Sequence, residues 1–189
     1  MKTFLRSLFI AVLLVAAWGL LGPWLRHGLY AMRLAAMPPP ASLAMPVEGV
    51  RPKGLRDTWQ AARGEGRRHE GIDIFAARGT PVRAATEGIV LRVGTNRLGG
   101  QVVWMLGPGS QRHDYAHLDR YSDVAAGMRV EQGRVLGYVG NTGNAADTPP
   151  HLHYGVYGAG GALNPYPLLR GTAQQEQRQQ RQAGAAAIR

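Results

Sequence analysis

Three short clusters in this 189-residue chain carry side chains that bind metals or move protons. They are His69-Glu70-Gly71-Ile72-Asp73, Tyr115-Ala116-His117-Leu118 and His151-Leu152-His153. Neutral imidazole and carboxylate are zinc ligands, and a catalytic zinc centre needs only three protein ligands plus an open position. The chain has no cysteine, which excludes a thiolate zinc site and a disulfide framework. It also lacks a His-Glu-x-x-His helix motif, and a histidine can serve as a proton acceptor. The ordinary imidazole pKa near ~6.5 suits that task at neutral pH. Singly, each cluster has an ordinary reading, such as a surface His-x-His pair or a hydrogen-bonded interior histidine; their joint presence, in this order, is much harder to explain that way and suits zinc. His113 is read as a strand or loop residue, Glu70 as solvent-facing and His27 as interfacial.

The elements that must position these groups read as strands. Residues i and i+2 of a strand share a face, so His151 and His153 project together while Leu152 faces the other way. His69 and Asp73 are four apart, which on a helix would also give one face. Gly71 and the β-favouring Ile72, Ile74 and Phe75 argue instead for a loop entering a strand. Alternating or β-branched runs cover residues 81–93, 101–106, 130–139 and 151–157, with glycine-marked turns between them. No long helical period occurs over residues 50–167. The fold class is therefore mainly β.

The segment ahead of this domain reads differently. Residues 7–25 carry no charged side chain and include Leu8, Phe9, Ile10, Val12, Leu13, Leu14, Val15, Leu20 and Leu21. At ~1.5 Å per residue such a run matches the ~30 Å core of a bilayer. It predicts one N-terminal transmembrane helix, with a cleaved signal peptide as the alternative. Either way the remainder would leave the cytoplasm, which argues against nucleic acid as a partner. The expected organisation is a membrane anchor over residues 1–34, a Pro-rich linker over 35–52, a catalytic domain over 53–170 and a flexible Gln/Ala/Arg-rich tail over 171–189. The formal charge of +10, from 22 Lys+Arg against 12 Asp+Glu, suits attraction to anionic wall or lipid, or reflects scattered solvated arginines.

The order of the clusters and the residues between them resemble the lysostaphin-type (LytM-like, β-lytic) zinc metallopeptidases. The likeness takes in His69 to Ile74, Gly79-Thr80-Pro81-Val82-Arg83-Ala84-Ala85, Glu87-Gly88-Ile89-Val90, Tyr115 to Leu118, Val135 to Gly143 and Pro150-His151-Leu152-His153-Tyr154. The resemblance implies an antiparallel β-sheet with zinc in a groove above it. It implies His69, Asp73 and His153 as metal ligands, and His117 and His151 as non-ligand catalytic histidines. It implies Zn2+ as cofactor and hydrolysis of peptide cross-links in bacterial peptidoglycan by zinc-activated water, with a histidine general base. His151 is assigned as that base, with His117 orienting water or stabilising the oxyanion; the two roles are exchangeable at this stage. The expected location is the cell envelope, with the domain in the periplasm and held at the inner membrane. Pro149-Pro150 stands where the family usually has Gly-Pro, which bears on substrate preference near residues 144–148. A zinc-free regulator of other wall hydrolases and an enzyme trimming a secreted protein are the competing functions.

Overall fold

The structure is a computed structural model that describes residues 2–171, excepting the side chains of Lys2, Thr3, Leu5, Leu8, Ala11, Leu14 and Glu65. Helix α1 (Lys2–Ala36) is followed by nine strands: β1 (Ile72–Phe75), β2 (Pro81–Arg83), β3 (Gly88–Asn96), β4 (Gly100–Leu106), β5 (Arg112–Tyr121), β6 (Arg129–Val130), β7 (Val135–Val139), β8 (His151–Gly158) and β9 (Gly161–Leu163). They form one sheet in the order β1-β8-β5-β4-β3-β6, with β7 pairing both β2 and β5, and β9 pairing β8. Every pairing is antiparallel. The mainly β expectation matches the fold, although the runs over 81–93 and 130–139 each divide into two strands.

Alternation along the central strands separates two environments. On one side Ile72, Ile74, Tyr115, Leu152, Tyr154 and Val156 are buried in the core with Val82, Val103, Met105, Leu118 and Leu136. Burying a side chain of this size contributes roughly 1.5–3 kcal/mol. On the other side the register sets Asp73 opposite His153, and His153 opposite Ala116. The three-stranded unit β1-β8-β5 thus fixes one face to the core and turns the other toward the histidines.

Two expectations about the N-terminal third differ from the structure. Part of the Pro-rich segment belongs to the folded body: Leu43 and Val47 are buried in the core, and Val47 bridges Val82. Prolines stiffened this stretch, but its apolar residues still found the open side of β2. The helix over the N-terminal residues does form. Among the described residues, however, no helix is long and apolar enough to cross a membrane. The helix carries Arg26, His27 and Arg33 in its C-terminal part. The described residues therefore give the expected transmembrane helix and inner-membrane attachment no support, and helix α1 has no assigned span. Its C-terminal part rests on the domain: Tyr30 donates to Glu87 at 2.8 Å, Arg33 bonds the same carboxylate at 3.2 Å, and Leu34 is buried. The tail expected over residues 171–189 lies outside the described residues from 172 onward.

Candidate metal centre

His69, Asp73 and His153 converge on the groove side of the β1-β8-β5 unit. Each offers one ligand atom, and these atoms all lie within 4.8 Å of one another. His69 Nε2 faces His153 Nδ1 at 2.8 Å, and Asp73 Oδ1 lies 3.1 Å from the first and 3.4 Å from the second. A tetrahedral ion at ~2.0–2.1 Å from each donor sets donors roughly 3.3 Å apart, so this set of two nitrogens and one oxygen fits zinc in both chemistry and spacing.

The supports of each ligand are local. Asp73 sits within β1, and its backbone N–H donates to Thr58 Oγ1 at 2.9 Å. Its other carboxylate oxygen accepts from Arg63. Burial alone would raise the pKa of this carboxyl; the contacts with the His153 and His69 rings outweigh it and hold the group well below the usual carboxylate range. His69 precedes β1 and reaches the Thr58 carbonyl with Nδ1 at 2.7 Å. A carbonyl only accepts, so Nδ1 carries the proton and the Nε2 lone pair faces the cluster. Gly71 makes room for the third ligand: a Cβ there would lie 2.6 Å from the Tyr154 carbonyl and 2.7 Å from the His153 ring.

Two further histidines flank the cluster. His151, on β8, has Nε2 3.8 Å from Asp73 Oδ1 and Nδ1 2.8 Å from the Pro149 carbonyl. His117 has Nδ1 2.8 Å from the Thr142 carbonyl, and its ring centroid is 5.0 Å from that of His151 and 5.9 Å from that of His153. The same tautomer argument holds for both: each neutral ring presents a bare Nε2. His117 reaches this place through a bulge. Opposite β4 the register shifts between Gln101 and Val103, and His117 adopts φ 62°. Two residues of β5, Ala116 and His117, stand against Val102, which re-aims a side chain that alternation would have sent to the core. The loop that supplies the Thr142 carbonyl approaches Gly100 (φ 60°) so closely that a Cβ there would lie 2.3 Å from Thr142 Oγ1. Burial, reinforced by the neighbouring His153 ring, lowers the His117 pKa to about 4.

The model of peptidase family M23 matches residues 67–165, just over half of the chain and all five of these residues. The chain belongs to peptidase family M23. Among relatives in the family, the L-Ala–D-Glu endopeptidase of Bacillus subtilis (strain 168) is 42% identical over 127 residues, covering 61% of this chain and 39% of that protein. The peptidoglycan DD-endopeptidase ShyC of Vibrio cholerae is 38% identical over 91 residues, covering 48% of this chain and 20% of that protein. The chain thus spans well under half the length of either relative. Among solved M23 structures, the catalytic domain of lysostaphin from Staphylococcus simulans superposes with a TM-score of 0.55 at 29% identity, over 61% of this chain and 92% of that one. Helicobacter pylori Csd3 gives 0.57 at 27% identity, over 72% and 36%.

All five residues singled out from the sequence are brought together. His113 is not among them: it faces the core, fully buried, with Nδ1 2.7 Å from the Tyr154 hydroxyl. Missed from the sequence were the place of Arg63, one of the arginines read either as scattered solvated charges or as attracting anionic wall or lipid, and the Thr58, Thr142 and Pro149 carbonyls. A backbone carbonyl leaves no signature in residue type; Arg63 had one available signal, its place among basic residues just ahead of His69.

Proposed function

We propose that this chain is a zinc-dependent endopeptidase that hydrolyses peptide bonds in bacterial peptidoglycan and acts in the cell envelope. The single observation that carries the reading is the two-nitrogen, one-oxygen donor set of His69, Asp73 and His153, bordered by the rings of His117 and His151, each tied through Nδ1 to a backbone carbonyl. The named activities of the Bacillus and Vibrio relatives support peptidoglycan as the substrate.

His69, Asp73 and His153 would hold Zn2+, which when bound lowers the pKa of water and polarises a carbonyl. The remaining chemistry falls to His151 and His117. Both Nε2 atoms are acceptors while the rings are neutral, so neither can donate to an oxyanion at the outset. His151 Nε2 takes the proton of the attacking water. The resulting imidazolium then carries a donor toward the developing oxyanion and the leaving amine. His117, kept neutral at pH 7 by its burial, orients the water through its lone pair. The Thr142 and Pro149 carbonyls hold both rings so that this geometry exists before substrate binds.

The test is direct. Zinc content and release of peptides from purified peptidoglycan are measured for the protein beside its His69→Ala variant. About one zinc per chain, with cleavage that the variant loses, is the expected result. Zinc without cleavage of wall, but with cleavage of a secreted protein, would overturn the substrate. Neither zinc nor cleavage would overturn the activity.

A further inference from the structure

A cleft of about 530 Å³ opens directly beside the metal cluster, with Asp73 forming one edge. This size is within the range of small-molecule and side-chain sites. Its walls are Val50, Leu55, Phe75 and Pro149, and Arg56 supplies its one cation. Phe75 is a large apolar side chain left 47% exposed, and its ring centroid is 5.1 Å from that of His151. An exposed ring touching a catalytic histidine is a surface on which a substrate chain can lie.

The two arginines near Asp73 differ in availability. Arg63 is engaged with the Asp73 carboxylate. Arg56 has no acidic partner among the described residues. An arginine guanidinium offers paired donors that match a carboxylate, and such charge-assisted contacts are strong and geometrically selective. The only acidic member of the cleft, Asp73, has its charge committed to Arg63 and the histidines.

We propose that this cleft is a specificity subsite for a substrate residue with an aliphatic stem ending in a carboxylate, next to the scissile bond. The stem packs on Phe75, Leu55 and Pro149, and the carboxylate pairs with Arg56. The proposal rests on the peptidase reading and narrows it: of the peptides the centre could cut, those with an acidic residue at this position are preferred.

The experiment uses two synthetic peptides that differ only in carrying the carboxylate or its carboxamide. With the zinc-loaded protein, kcat/KM favours the acid by about tenfold or more, the size expected for one charge-assisted pair. Arg56→Gln removes that preference by lowering the acid's value toward that of the amide, and Arg56→Lys restores part of it. Binding of the same pair to the zinc-loaded His117→Ala variant, followed by calorimetry, reads the subsite without turnover. Equal affinity for acid and amide overturns the proposal, as does a preference that survives Arg56→Gln. A tenfold binding preference without cleavage in the wild-type protein upholds the subsite and counts against the peptidase reading alone.

Discussion

His113 and His117 stand four residues apart on β5, and burial lowers the pKa of each to about 4. By titration they are alike; by position they are opposites. His113 follows the alternation of the strand into the core, where it meets Tyr154, whose ring is 5.2 Å from that of Tyr115. Its Nε2 has no hydrogen-bond partner. His117 escapes the core through a bulge with a left-handed backbone, and its ring centroid lies 5.9 Å from that of His153. A shifted pKa therefore does not by itself mark a histidine of the groove in this sheet. What marks it is the face, and the face is decided by one extra residue in the ladder.

The comparison breaks most sharply under substitution. His69→Ala on the groove face should abolish zinc retention and reduce peptide release to background, read by metal analysis and chromatography. His117→Ala should keep about one zinc per chain and lower kcat by about 10²–10⁴-fold, the usual contribution of a proton-transfer or water-positioning group. His113→Phe should leave zinc content and kcat/KM unchanged, although the residue is more deeply buried than His117. If His113→Phe lowered turnover as much as His117→Ala, the division of the sheet into a chemical and a structural face would be wrong.

The division also explains what was legible in the sequence. His151 and His153 could be placed together because β8 is regular and the period of two holds across Leu152. Asp73 could be placed because it lies in β1 with Ile72 and Ile74 marking the core side. His117 could be named by its type but not aimed, since a bulge and a positive φ at a non-glycine residue have no dependable signal in residue type. The same holds for the carbonyls of Thr58, Thr142 and Pro149, which fix three ring tautomers. At the other end of the domain, four prolines suggested a linker. Yet Leu43 and Val47 lie in the core, because proline rules out helix and ladder hydrogen bonds without preventing its neighbours from packing.

A smaller effect is expected one shell out. Arg63→Ala frees one oxygen of Asp73 and should weaken zinc binding by about 10–100-fold, as loss of a ligand's own partner typically does. Competition with a chelator measures it. The fully loaded variant should retain nearly the wild-type kcat, since Arg63 orients the ligand and does not move protons. A substitution on the core face, such as His113→Phe, should leave the same competition curve in place.

The smallest effect reads the core face through pH. The His113 pKa falls from the ordinary 6.5 to about 4 because burial disfavours its charged form. Above pH 6.5 the ring is neutral whether the chain is folded or unfolded, and it adds no pH dependence. Between 6.5 and 4 the unfolded chain binds a proton that the folded chain refuses, so stability falls as pH falls, and below about 4 the loss levels off. At pH 5 the cost is about 2 kcal/mol. Urea unfolding of wild-type protein and His113→Phe at pH 7.5 and pH 5 isolates it, because acid effects at the metal ligands are common to both proteins. The variant should lose about 2 kcal/mol less than wild type over that interval. An equal loss in both would mean that His113 already carries its proton in the folded core, with Nδ1 and Nε2 both as donors, and the contrast with His117 would then rest on position alone.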